Sequence, residues 1–246
     1  SLTANQIIGG LEFEKRDGSG AGAGVVGGLR MYSEGSVGES AYLTLSTASS
    51  STNNAEALRI DSSGRLLLGT TTEGYNDYAD NLTIADSGHC GITIRSGTTH
   101  DGSIYFSDAT SGGAEYDGYI YYTQNGRALI FGTAQSERMR IDSSGRLLVG
   151  KTSARANFLN STFSARLQVE GTGHDNSAVS IVRNSNDGGS PYLNIGKSRS
   201  SSVNGNTVVQ SGDGLGVISF QGADGSEMVE AATIIAQVDG DRKSVV

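Results

Sequence analysis

Residues 137–150 read ERMRIDSSGRLLVG, and residues 56–69 read EALRIDSSGRLLLG. Extended by two residues, the windows 56–71 and 137–152 agree at 12 of 16 positions, at an offset of 81. Chance does not produce this, so the chain holds at least two copies of one structural unit. In the first copy Leu58 and Ile60 alternate with Arg59 and Asp61, the period of a strand with one apolar face. Ser62-Ser63-Gly64 then fits a three-residue hairpin loop: a type I turn, followed by a left-handed residue where glycine carries no steric penalty. The Asp61 carboxylate stands where it can accept bonds from amides two residues on. The return strand sets Leu66 and Leu68 on one face, with Arg65 and Leu67 on the other. In the second copy Met139, Ile141, Leu147 and Val149 take the apolar places. None of the four differences falls in the turn. The segment therefore reads as the hairpin that closes each unit, a mark of architecture and not of a duplicated active site.

Outward from the hairpins lie more short strand patterns. GLEFE (10–14), GLRMY (28–32) and YLTLS (42–46) precede the first copy. GSIYFSD (102–108), DGYIYYT (117–123) and ALIFG (128–132) precede the second. RLQV (166–169) resembles NLTI (81–84) and opens what reads as a third unit, continued by VSIV (179–182), YLNI (192–195) and GVISF (216–220). No third hairpin copy follows before Val246. This predicts units at 1–72, 73–153 and 154–246, the last incomplete, and a longer native chain; an N-terminal Ser1 in place of Met points the same way. Residues 227–238 are the one helix candidate, and Val229, Thr233, Ile234, Ile235 and Val238 favour a strand there. The expected fold is all-β, built from repeated short-strand units with glycine turns.

Composition agrees. Among 246 residues, 36% are apolar, with 36 Gly, 1 Pro and no Trp. Globular domains usually hold roughly 45–50% apolar residues, so one copy has little core to bury by itself. Glycine has no third-position repeat, which excludes collagen, and the chain is too rich in β-formers to be disordered. A net charge of −8 argues against a nucleic-acid binder, which needs a basic face. No apolar run is long enough to span a membrane as a helix, so no membrane insertion is expected, and the N-terminus lacks a signal-peptide pattern. The single Cys90 has no intrachain partner and is expected to be half-buried.

Little of the sequence carries chemistry. His89 and His174 follow Ser-Gly and Thr-Gly in similar places, and with His100 they read as loop residues, so no metal site is expected. The carboxylates Glu115, Asp117, Asp142, Asp175, Asp187, Asp213 and Asp224 are mostly beside glycines, which is turn chemistry. Nothing selects among them the spaced pair that a glycan-cleaving enzyme uses. The stretch GSGAGAG (18–24) lacks the Lys-Ser/Thr ending of a phosphate loop. No catalytic residue and no cofactor is expected. Tyr119, Tyr121 and Tyr122 lie in a strand with one core face. Tyr75 and Tyr78, in the polar stretch EGYNDYAD (73–80), are the best candidates for a glycan contact: exposed rings can stack on sugars beside Asn and Asp.

The order GSIYF, GYIYYTQNGRALIFGT (118–133) and ERMRIDSSGRLLVGKT (137–152) resembles the repeat of tailed-bacteriophage tail-fibre proteins of the marine and cyanobacterial phage type. GLGVISFQGADG (214–225) and ATIIAQVDG (232–240) are similar to the same fibres. The resemblance implies a homotrimer, an elongated β-prism or interwoven fibre, often followed by an endosialidase-type intramolecular chaperone that cleaves itself off; here DRKSVV (241–246) follows instead. It implies a structural shaft segment on the virion that presents a receptor-binding tip for host attachment. Its partners would be its own copies, other tail or baseplate proteins and a host surface glycan. A glycan-cleaving tailspike, a bacterial adhesin and a head- or collar-attached fibre are the alternatives.

Overall fold

The computed structural model describes residues 2–16, 24–36, 40–48, 54–75, 78–160 and 163–240. Most of the glycine stretch 18–24 and the terminal 241–246 lie outside the described residues. The fold is all-β. The chain divides into two compact units, Ser1–Thr93 and Ile94–Val246.

The first unit is a six-stranded sheet in sequence order. Its strands are β1 (Ile7–Lys15), β2 (Gly24–Ser33), β3 (Ala41–Thr47), β4 (Ala55–Ile60), β5 (Leu66–Leu68) and β6 (Leu82–Ile84). The first five pair antiparallel in succession, and β6 returns parallel to β5. The second unit repeats this plan with β7 (Asp101–Phe106), β8 (Gly118–Thr123), β9 (Ala128–Thr133), β10 (Ser136–Ile141), β11 (Leu147–Val149) and β12 (Leu167–Val169). It also holds an antiparallel ribbon, β13 (Gly214–Ala223) with β14 (Met228–Gln237). The ribbon is tied to the loop between β11 and β12, where Met228 N donates to Asn157 O at 2.9 Å. The β-branched 227–238 stretch is thus a strand, as its composition predicts.

The repeated hairpins are built by one set of bonds. Asp61 N donates to Arg65 O at 3.1 Å, and Gly64 N to Asp61 O at 3.0 Å. Gly64 sits at φ 81° and Gly145 at φ 72°, the left-handed region the loop requires. The Asp61 carboxylate accepts from the Ser63 and Arg65 amides at 2.9 Å each and from the Arg65 guanidinium at 2.7 Å. Asp142 does the same with Ser144 and Arg146. Burial pushes both carboxyls up, but the bonds from these amides and guanidinia outweigh it and hold both below the ordinary carboxylate range.

Two sequence expectations need correction. VSIV (179–182) and YLNI (192–195) have strand composition, yet neither enters a ladder among the described residues. Strand composition makes a pleated surface favourable, but a ladder needs a second backbone alongside, and the described residues supply none. Cys90 is exposed and not half-buried, with Sγ 3.3 Å from Ile84 O. It follows the short edge strand β6, in a segment that nothing in its own unit covers.

Candidate functional site

The register places the side chains of each sheet in rows. One row of the first sheet runs Leu11, Leu29, Leu45, Leu58, Leu68 and Ile84. The row beside it runs Met31, Leu43, Ile60, Leu66 and Leu82. The second sheet matches them with Ile104, Ile120, Phe131, Met139, Val149 and Val169, and with Tyr122, Leu129, Ile141, Leu147 and Leu167. One whole face of each sheet is therefore apolar. No side chain in these four rows is buried, and Leu11, Leu29, Leu45, Leu68, Ile104 and Leu167 are among the exposed ones.

What each unit buries is the opposite, mixed face. Its central row in the first sheet is Arg30, Thr44, Arg59, Leu67 and Thr83. Arg30 is only 3% exposed and Leu67 only 1%. The Arg30 guanidinium donates to Glu12 and Asn54 at 2.7 Å each and to Ser46 at 3.1 Å. Arg59 lies 4.0 Å over the Tyr42 ring and pairs with Glu56 at 2.7 Å. In the second sheet the corresponding row is Ser103, Tyr121, Ile130, Arg140, Leu148 and Gln168, with Leu148 at 0% exposure. Burying charged and polar groups costs free energy unless they are paired, and here they are: among the described residues no buried side-chain nitrogen or oxygen lacks a partner. The alternation in the sequence foretold an apolar face, and the structure assigns the self-buried side to its opposite. Tyr119 and Tyr121 are half-buried on the mixed face, whereas Tyr122 is exposed on the apolar one.

Tyr75 and Tyr78 are brought together. A bridge between Tyr75 and Ala79 closes the loop, and Ala79 N donates to Tyr75 O at 2.9 Å. The two rings stack with centroids 5.2 Å apart and 21° between planes, and the residues are 73% and 81% exposed. Stacked this way, each ring keeps one face for a third planar or sugar-like surface. Asp80 and Glu73 lie within reach of Arg65, at 3.2 and 3.5 Å, so both flanking carboxylates are held by the hairpin's own arginine.

Asp187, Asp213 and Asp224 are also committed. Asp187 pairs with Arg183 and accepts from Gly189 N, and Asp213 is held by Arg199 and by Gln210 N, which keeps it well below the usual range. Asp224 accepts from the amides of Ser226 and Glu227. The three histidines are exposed, and no group of three metal-ligating side chains occurs among the described residues. One charged cluster escaped the sequence reading. Glu170, at the end of β12, is bound by Arg155 and Lys151, and their bonds hold its carboxyl down to about 2. Lys151 differs from Thr70 in the first copy, and Glu170 stands where the first copy has Ala85; the two changes together were the available signal.

No family model and no curated protein matches the chain. Among solved structures, it is similar to the carboxy-terminal domain of the bacteriophage T5 L-shaped tail fibre with its intramolecular chaperone domain. That likeness has 14% identity and a TM-score of 0.33, over 76% of this chain and 63% of that one. It is also similar to the carboxy-terminal domain of the same fibre, at 14% identity and a TM-score of 0.29, over 73% of this chain and 90% of that one. The chain thus spans 63% of the length of the first of these.

Proposed function

We propose that this chain is a structural shaft segment of a viral tail fibre, a homotrimer on the virion that presents a receptor-binding tip for host attachment. One observation carries the reading. Both six-stranded sheets leave their Leu, Ile and Met face uncovered while burying the polar one. Burying one Leu or Ile side chain fully is worth about 1.5–3 kcal/mol, and each sheet offers two full rows. A shared core among copies gives those rows their cover, and repetition of the same face in both units suits a partner that repeats likewise. The sequence resemblance to phage fibres supports the same choice. The exposed Tyr75–Tyr78 stack is assigned a glycan contact on the side of the shaft.

The test is the molar mass of the purified chain by light scattering. Three times 25.4 kDa is the expected result; a stable monomer would refute the shared core. For the side contact, retention on immobilised host polysaccharide should fall at least tenfold in the Tyr75→Ala, Tyr78→Ala double variant with the oligomer intact. Unchanged retention would remove the glycan assignment and leave the shaft reading in place.

A further inference from the structure

The apolar face of the second sheet continues one row past those already traced, toward the loop between β7 and β8. There Phe106 stands opposite Gly118. A Cβ on Gly118 would meet Phe106 at 3.3 Å from its Cβ and 3.4 Å from its Cδ2, so the phenylalanine borders the gap that the glycine leaves. A cavity of about 580 Å³ opens at this point, walled by Phe106, Ile120 and Phe131, with Thr133 at the end of β9. Pockets that hold small molecules measure roughly 300–1,000 Å³. The first sheet carries the same row: Phe13 stands opposite Gly27, and Gly27 opposite Thr47.

The charge beside the two gaps differs. The second residue after the phenylalanine is Lys15 in the first sheet and Asp108 in the second. The residue before the glycine is Val26 in the first and Asp117 in the second. Asp108 and Asp117 both line the cavity. Among the described residues Asp108 meets no donor, and the Asp117 carboxylate meets only the Gln135 side-chain amide, at 3.4 Å. Carboxylates accept hydrogen bonds and donate none. Two of them without a cation, beside an apolar wall, repel each other. A hydroxyl can bond to them but leaves that repulsion in place, whereas a cation removes it.

We infer that the cavity of the second unit binds a small organic cation, an ammonium group carried on an apolar body. The ammonium group faces Asp108 and Asp117, and the apolar body lies over Gly118 against Phe106. Aromatic rings add to the preference, because their faces attract cations. The matching gap of the first unit has the apolar row without the carboxylates, and takes no such ligand. The inference goes beyond the shaft reading, which neither needs nor implies a small ligand.

Titration of the purified full chain with 2-phenylethylammonium and with its neutral counterpart 2-phenylethanol, followed by calorimetry, tests it. The ammonium should bind at least about fivefold more tightly than the alcohol, the order that two exposed charge contacts supply. Changing Asp108→Asn and Asp117→Ser together should bring the two affinities to within about twofold of each other. Equal affinities in the native protein, or no binding of the ammonium, would overturn the inference. A preference that survives in the double variant would overturn it as well, since the charge would lie elsewhere. Phe106→Ala removes the apolar wall and should weaken ammonium and alcohol alike; unchanged affinities would show that the ligand sits outside this cavity. Lys15→Gln in the first unit should leave both affinities as they are, and a change there would place the ligand in the wrong gap. None of these outcomes alters the molar mass on which the shaft reading is tested.

Discussion

The two six-stranded sheets share a hairpin almost residue for residue, yet their mixed faces are held by different physics. In the first, Glu12, Arg30, Ser46 and Asn54 form a hydrogen-bonded charged cluster, and the Arg30 guanidinium lies along Gly28. In the second, register puts Tyr105 where Glu12 stands, Tyr119 at Gly28, Tyr121 at Arg30 and Gly132 at Ser46. Tyr105 meets Tyr119 edge-on with centroids 6.4 Å apart, and Tyr119 meets Tyr121 at 5.3 Å. The Tyr119 ring occupies the space over Gly132, 2.0 Å from where a Cβ would be. The site of the bare glycine has moved from β2 to β9, and a guanidinium has given way to a ring. The comparison teaches that the hairpin is fixed by main-chain geometry, which admits few sequences. The mixed face demands only that its volume be filled and its polar atoms be paired, and many sequences do that.

The equivalence of the two units is broken most severely at the side chains they have in common. Leu67→Ala and Leu148→Ala should each cost about 2–5 kcal/mol, as for fully buried leucines, read from denaturant midpoints of the whole protein. A loss under about 1 kcal/mol at either site would mean that the mixed face is not the self-buried one. A sharper contrast comes from Gly132→Ala, which must displace the Tyr119 ring and should cost about 1–3 kcal/mol by overpacking. Its counterpart Ser46→Ala removes a hydroxyl bonded to Gly28 O and Asn54, and should cost about 1 kcal/mol. Equal costs would show that the ring and the cluster impose the same packing.

The smallest difference is one of acidity. Asp61 and Asp142 are depressed alike, so each unit gains stability above the ordinary carboxylate range and loses it as pH falls. Glu170, which has Ala85 as its counterpart in the first copy, adds one more such group to the second unit. Its folded value of about 2 lies below its ordinary 4.5, so its contribution is complete above that ordinary value and disappears as pH falls through about 2. Thermal midpoints followed between those limits should fall further in the native protein than in Glu170→Gln. Parallel curves would mean that the Lys151–Glu170–Arg155 cluster is too well solvated to matter.

How much of this was legible follows from which forces act locally. The hairpins were readable because alternation, an aspartate and a glycine specify the turn within a few residues. So were the strands at 10–14, 28–32, 42–46, 117–123 and 128–132, whose partners lie next in sequence. The parallel return of β6 onto β5 was not. NLTI and RLQV read as openings of the next unit, because nothing in three residues announces that they turn back to the preceding hairpin. Which face the unit buries was hidden for a related reason. Alternation identifies an apolar side, but the burial of Arg30 depends on Glu12, Ser46 and Asn54 converging from three separate segments. Tyr75 and Tyr78 could be picked out as exposed aromatics; their stacking depends on the bridge that closes their loop.

The parallel return also decides how each unit would answer a pull along its chain. A hairpin such as β4–β5 opens by peeling, with one pair of hydrogen bonds bearing the load at a time. β5 and β6 run the same way, joined at one end by the Leu66 amide on Asn81 O at 2.8 Å and at the other by the Ala85 amide on Leu68 O at 2.9 Å. Tension entering at the start of β5 and leaving at the end of β6 slides the two strands lengthwise and loads these bonds together. The same clasp recurs at Leu147 on Arg166 O and Glu170 on Val149 O. Each six-stranded sheet therefore closes with a mechanical fastener, stiffest along the direction in which the chain runs on.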